Sequence, residues 1–371
     1  MEEIMQTLSQ EELDMAPCMT NGISYGEAAR NLAEVAKSLG NDRWAILIKA
    51  WCVPFLFHGI EKIFKSDSDP IPQYIDLLNS LNGYLQSVSE SKLKDFFLIA
   101  QHSNDVKRDY NIQVEEITGN HYGKLFSGFS DDSYFNEAKY LLKTRLERNG
   151  IDVKNLGDKS LLDMGCGGGR YTVAWKLLGV KEAVGLDISE IGLENARQRV
   201  AKAGIEGVRY IQGSVLNAPI EDNSFDIVYS NGVFHHTTDW KKGIAEQVRI
   251  LKPGGMGWQY LIENPGGIFW DNIEILRVIL KNVNHDYARE ALADLGIPPN
   301  RIFYMLDHSM VPINIRLTPE EVEEEYRKNG AKDIIRLKRG TDFDHVEAIY
   351  RNDPYDRVKF GVGENRYIFT K

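Results

Sequence analysis

Between residues 159 and 262 short apolar runs alternate with amphipathic stretches. "SLLDM", "EAVGLDI", "VRYIQG", "FDIVYSN" and "MGWQYLI" read as strands. Between the first three lie "RYTVAWKLLG" and "EIGLENARQRVAKAG", whose apolar residues recur at helical spacing. Strand and helix in alternation predict a parallel sheet built from right-handed βαβ units. Upstream, from about 22 to 118, only the helical period recurs, in "YGEAARNLAEVAKSLG", "YIDLLNSLNGYLQSV" and "SKLKDFFLIAQ", separated by breaks such as "SDSDPIP". Residues 119–150 stay helical and stop at Asn149-Gly150. After 264 a mostly helical insertion runs to about 305. Then "LTPEEVEEEYRKNGAKDIIRL" reads as helix and strand, with Thr318 as N-cap, Pro319 at the first helical position and Glu321 completing a capping box. "NRYIFTK" closes the chain as a strand.

The expected organisation is a helical domain over 1–118 and an α/β domain over 119–371. The second would contain a lid segment at 119–150 and the insertion at 264–305. The most apolar stretch, "WAILIKAWCVPFLF" at 44–57, is interrupted by Lys49 and Pro54 and is too short to span a bilayer, so it reads as a buried core helix. The acidic N-terminal residues Glu2 and Glu3 do not resemble a signal peptide.

Composition narrows the function classes. The 371 residues carry a formal charge of −10, with no Lys/Arg run dense enough to grip a phosphate backbone. Neither nucleic acid nor membrane is expected as a partner. Cys18, Cys52 and Cys166 show neither paired nor zinc spacing, which suits a reduced, cytoplasmic setting and no metal.

The candidate chemistry starts at "SLLDMGCGGGRYTVAW", residues 160–175. A strand, a glycine-rich turn and a helix bring backbone N–H groups against a ligand. Gly165 and Gly167 fit a dinucleotide fingerprint, but Arg170 stands where its third glycine belongs. Asp163, two residues before the first glycine, is badly placed beside a pyrophosphate and well placed beside a cationic cofactor. S-adenosylmethionine carries an ammonium and a sulfonium and no phosphate. Asp187, 18 residues past Gly169 at the end of the next strand, reads as an acceptor for ribose hydroxyls or as a helix N-cap.

Four segments in order, "LLDMGCGGGR", "VGLDIS", "QGSVLNAPIEDNSFDIVYSNGVFHHTTD" and "ILKPGG", resemble the class I S-adenosylmethionine-dependent methyltransferases of the ubiquinone/menaquinone-biosynthesis type. The resemblance covers about 120–262 and, more weakly, the tail. It implies a Rossmann-like seven-stranded sheet with its last strand antiparallel, an N-terminal all-helical domain and a helical insertion after the fifth strand. It also implies methyl transfer to a small-molecule acceptor. Alternatives are a protein or peptide methyltransferase, a non-catalytic S-adenosylmethionine-binding protein and, disfavoured by Asp163 and Arg170, a nicotinamide dehydrogenase.

The resemblance implies that Asp163, Gly165 and Gly167 surround the methionine part of the cofactor, that Asp187 binds ribose and that Ile188 flanks the adenine. Gly213-Ser214 stands where the family usually has Gly-Asp, so Ser214 replaces an acid that meets the adenine amino group. Asn231 would lie beside the transferable methyl. Asp226 reads as a structural residue opening its strand.

His235 and His236 follow the fourth strand. Either His235 takes a proton from the acceptor, or one ring packs against a helix and the other sits at the rim. With Asp239 they form no recognised metal spacing. In "NHYGKLFSGFSDDSYF" Tyr122, with Tyr134 second, is the expected lid tyrosine, and Trp258, Tyr260, Phe269 and Trp270 are candidates for the acceptor pocket or for the core. The helical domain resembles in length and position the dimerisation domains of plant-type O-methyltransferases, which implies a homodimer by analogy without a motif.

Overall fold

The structure, a computed structural model, describes residues 17–20, 22–91 and 129–371. Residues 92–101 of the helix expected in "SKLKDFFLIAQ" and residues 119–128 of the expected lid segment lie outside them. The chain divides into two compact units. One holds the N-terminal helices together with Gly267–Met310 and Pro354–Phe360. The other holds the sheet. The division expected from sequence kept 264–305 with the sheet. In the structure the helices Gly267–Ile279, His285–Asp294 and Pro299–Leu306 fall in the helical unit.

In that unit the helices Gly26–Ser38, Arg43–Phe64 and Pro70–Ser89 carry N-cap aspartates at the starts of the second and third. Asp42 and Asp69 accept the N–H groups of Ala45 and Ile71. The Arg43–Phe64 helix extends the apolar stretch to 22 residues, long and apolar enough to cross a membrane by length and composition. The reading of it as too short is corrected on that point, because helical periodicity continues through Gly59–Phe64. Eleven of its residues are buried, on more than one face, as in a core helix. A polar cluster lies nearby: Tyr25 donates to Asp271, Tyr74 to Asn272 at 3.2 Å, and the two tyrosine rings meet edge to face at 5.1 Å.

The sheet unit has seven strands in the order β3-β2-β1-β4-β5-β7-β6. These are β1 Ser160–Met164, β2 Glu182–Asp187, β3 Val208–Gln212, β4 Phe225–Asn231, β5 Leu251–Leu261, β6 Lys332–Arg336 and β7 Asn365–Thr370. β1 to β5 run parallel, and β7 lies antiparallel to β5 and β6, as expected. Order reverses between β1 and β4, and ligands bind such open sheets in the crevice outside the carboxyl ends of the strands.

Alternation divides the central strands between two cores. Leu162, Met164, Val228 and Leu261 pack with Phe234, Ile244, Val322 and Tyr326. Leu161, Ile227, Tyr229 and Trp258 pack on the other face with Leu142, Leu146 and Trp175. Asp163 shares its face with Leu161, so it emerges at the carboxyl end of β1 above the second core. The Thr318–Glu321 capping box forms as expected, with Pro319 in the first turn.

Candidate functional site at the carboxyl end of the sheet

β1 ends at Met164, and the chain turns through the glycines into the Arg170–Leu178 helix. Two glycines are required by geometry. Gly165 has φ +78°, and a Cβ there would stand 2.3 Å from Val233 Cγ1. Gly169 has φ +76°, and its Cβ would meet Tyr210 Oη at 2.5 Å. The loop therefore lies flat against its neighbours, which only an absent side chain allows.

The loop's donors have partners within the protein. Gly165 and Cys166 N–H donate to Leu186 O at 2.7 and 3.0 Å, and Gly169 N–H to Cys166 O at 2.8 Å. Gly167 N–H donates to Asp187 Oδ2 at 2.7 Å. A phosphate cradle needs such N–H groups aimed at the ligand. Here four of them are engaged internally. Arg170 also turns away: Nε donates to Ser133 O at 2.9 Å, an Nη pairs with Glu137, and the guanidinium lies over Phe129 at 4.8 Å.

What the site offers instead is carboxylate. Asp163 is 3% exposed, and its Oδ2 accepts from Thr172 Oγ1 at 2.7 Å. Burial pushes its pKa up to about 7 against the Thr172 bond, and the nearby Asp187 adds to the rise. Asp187 is braced by two backbone groups, Gly167 N–H on one oxygen and Ser189 N–H on the other at 2.8 Å. Burial raises its pKa too, and these N–H bonds oppose the rise. A carboxylate has about four lone-pair positions, so Asp187 keeps acceptor capacity for hydroxyl groups. Ser189, not Asp187, caps the following helix, accepting from Gly192 N–H at 3.3 Å. A cationic, hydroxylated cofactor without phosphate fits this donor set, and a pyrophosphate does not.

The remaining expected cofactor residues lie at or just past the carboxyl ends of β2, β3 and β4. Ile188 is partly exposed, and its carbonyl accepts from Gln212 at 3.2 Å. Gly213 N–H donates to Asp187 O at 2.9 Å, and Ser214 Oγ accepts from Leu216 N–H at 3.2 Å. Asn231 closes β4, where its Oδ1 accepts from Arg366 Nη1 at 3.1 Å.

The histidines sit deeper than a rim. His235 is fully buried and His236 is 4% exposed, which corrects the reading of one as a rim residue. His235 Nδ1 accepts from Ile262 N–H at 3.3 Å, which assigns its proton to Nε2 in the neutral ring. His236 Nδ1 donates to Ile313 O at 2.8 Å. The rings meet edge to face at 4.2 Å, so the pair ties the post-β4 turn to β5 and to the 311–315 segment.

Tyr122 lies outside the described residues. Tyr134 is fully buried, donates to Gly168 O at 2.5 Å and lies under the Arg199 guanidinium at 4.8 Å. It braces the glycine loop rather than covering a pocket. Trp258 is core, stacked on Tyr229, while Phe269 and Trp270 belong to the helical unit. Asp226 takes the structural place expected of it. Ser160 N–H and Oγ and Lys252 Nζ all reach its Oδ2, at 2.9, 2.7 and 3.0 Å. Sequence reasoning missed Thr172 and Arg366, because neither belongs to a motif and each meets its partner only in the folded chain.

Residues 162–258 match the model of a methyltransferase domain family. A 27-O-demethylrifamycin SV methyltransferase of Amycolatopsis mediterranei is 28% identical over 205 residues, covering 53% of this chain and 74% of the relative. A demethylmenaquinone methyltransferase of Staphylococcus aureus is 38% identical over 146 residues, covering 39% of this chain and 58% of the relative. Among solved structures, a geranyl diphosphate C-methyltransferase from Streptomyces coelicolor, in complex with Mg2+, geranyl diphosphate and S-adenosyl-L-homocysteine, is 16% identical. It aligns with a TM-score of 0.38 over 63% of this chain and 77% of its own.

Proposed function

The chain belongs to the class I S-adenosylmethionine-dependent methyltransferases, and from that premise we propose that it methylates a small-molecule acceptor. When bound, the cofactor supplies a methyl group on a sulfonium, open to in-line displacement by a nucleophilic atom. In this reading Asp163, held by Thr172, takes the cofactor's ammonium. Asp187, held by Gly167 and Ser189 N–H, accepts from the ribose. Ile188 flanks the adenine, and Gly213 with Ser214 borders it. Asn231 faces the acceptor side.

The observation that carries the reading is the inward commitment of the loop's N–H groups beside the buried Asp163 and the half-buried Asp187. It favours a cation over a phosphate. A small-molecule acceptor is supported by the activities named for the relatives and by the charge of −10, which disfavours nucleic acid. The chain spans 58% of the menaquinone relative, so the acceptor belongs to the proposal rather than to the family assignment.

Orientation of reactants supplies about 7–11 kcal/mol of a displacement barrier, whereas a general base typically adds about 10²–10⁴-fold. The buried, anchored histidine pair fits the first contribution: it holds the turn after Asn231 in place. His235→Ala is then expected to reduce the melting temperature more than it changes the pH profile of turnover. A lost acidic limb in that profile would restore His235 as a base. Calorimetry provides the wider test. S-adenosylhomocysteine is expected to bind and NAD is not, and the opposite pattern overturns the cofactor seat.

A further inference from the structure

Register aligns Asn231, Tyr260 and Arg366 in one row across β4, β5 and β7. The row lies two residues beyond Tyr229, Trp258 and Ile368, on the face that carries Asp163. It therefore borders the crevice on the side away from β2, where the acceptor has to approach.

Arg366 is 5% exposed and its guanidinium lies 4.2 Å over the Tyr260 ring. A guanidinium offers five N–H donors. Among the described residues one of its bonds is of ordinary length, from Nη1 to Asn231 Oδ1 at 3.1 Å. Nη2 stands 3.6 Å from Asp344 and 3.7 Å from Glu364. Both carboxylates are otherwise occupied. Arg145 grips Asp344 with two bonds of 2.7 Å, and Glu364 accepts His345 and Val346 N–H at 2.9 and 2.7 Å. Arg366 Nε is buried and donates to no atom among the described residues. Tyr229 Oη, on the same face, is likewise buried with no hydrogen-bond partner among them. Trp258 Nε1 on this face is a third such atom, and because buried polar groups are nearly always bonded, the charged one among them, Arg366 Nε, asks most for a ligand.

Resting on the methyl-transfer reading above, we propose that Arg366 binds an oxyanion of the acceptor, a carboxylate or phenolate oxygen, and so selects planar acidic acceptors. The planar fork stacked on an aromatic ring matches such a group better than an ammonium does. Asn231 fixes the fork's far edge, leaving Nε as the reading atom.

The test follows the Arg366 Nε–H resonance in ¹⁵N-labelled full-length protein at pH 8, with and without saturating S-adenosylhomocysteine. The resonance is assigned by its loss in Arg366→Lys. Benzoate and 4-nitrophenolate are the anionic probes and benzamide the neutral control. A saturable shift with either anion, at least fivefold weaker with benzamide, is the expected result. A shift with benzoate alone or with 4-nitrophenolate alone names which oxyanion is read. Arg366→Lys should weaken binding of the active anion at least tenfold while S-adenosylhomocysteine affinity stays within threefold and the protein melts cooperatively. No shift with either anion, or equal shifts with benzamide, overturns the proposal. Failure to bind S-adenosylhomocysteine overturns the methyl-transfer reading instead, and the two failures are read separately.

Discussion

The two ends of the central strands treat their charges in opposite ways. At the amino end, Asp226 opens β4 and receives three bonds, from Ser160 N–H, Ser160 Oγ and Lys252. Burial would raise its pKa, yet these bonds outweigh it and bring it to about 2. Arg249 nearby is bonded to Glu246, Asp222 and the carbonyls of Ile220 and Ala218. At the carboxyl end Asp163 has one hydroxyl donor, and Arg366 has one ordinary hydrogen bond beside two longer ion pairs, at 3.6 Å to Asp344 and 3.7 Å to Glu364. The same residue types are saturated at one edge and under-supplied at the other. Charges that serve only the fold find partners within it, whereas charges that serve a ligand wait for theirs.

The largest expected break in this contrast comes from Asp187. Asp187→Ala removes the proposed ribose acceptor and the brace on Gly167, so S-adenosylhomocysteine affinity should fall by more than tenfold in calorimetry. Unchanged affinity would end its cofactor role. Asp226→Asn is the counterpart at the saturated edge. It should cost about 2 kcal/mol of stability, since hydrogen bonds to charged groups contribute about 1.5–3 kcal/mol, with S-adenosylhomocysteine affinity unaltered. A loss of affinity as large as that of Asp187→Ala would erase the distinction between the edges.

pH separates the two acids by sign. The folded pKa of Asp163 stands above the ordinary carboxylate value, at about 7. Its protonated form therefore favours folding below pH 4, and that contribution is lost as pH rises through 7. Asp163→Asn should gain stability relative to the parent at pH 8, and the gain should vanish near pH 4. Asp226 has a depressed value, so its contribution is present above pH 4 and lost as pH falls through about 2. The stability gap of Asp226→Asn should accordingly be flat from pH 5 to 8 in denaturant titrations. Matching pH profiles for the two variants would remove the contrast.

The smallest effect is expected at Thr172. Thr172→Val deletes the hydroxyl that orients Asp163 without changing side-chain shape much. Weakening of S-adenosylhomocysteine by about threefold to tenfold, roughly 0.6–1.4 kcal/mol, is the expected shift. An effect equal to that of Asp163→Ala would make the hydroxyl a ligand contact in its own right.

Much of the sheet unit was legible in the chain itself. β1, β2 and β4 fall within a residue of their apolar runs, and the Thr318 capping box forms as written, because period-two patterning, glycines at positive φ and capping chemistry are local. The loop acids were legible because a strand, a turn and a helix adjacent in sequence place them together. Less legible were contacts between distant segments. Arg366 meets Asn231 across 135 residues, and Arg145 meets Asp344 across 199. The helices after Gly267 carry the same amphipathic signal whichever unit they join, so sequence assigned them to the sheet by adjacency while the structure groups them with the N-terminal helices.

By itself, then, the sequence determined the strand order's local units and the choice of a cationic cofactor over a phosphate. Both follow from residue types within some twenty positions of one another. Tertiary structure alone decided how many bonds each charge receives and how deeply the histidines lie. Burial and hydrogen-bond saturation are properties of the packed chain, set by neighbours that no short stretch of sequence contains.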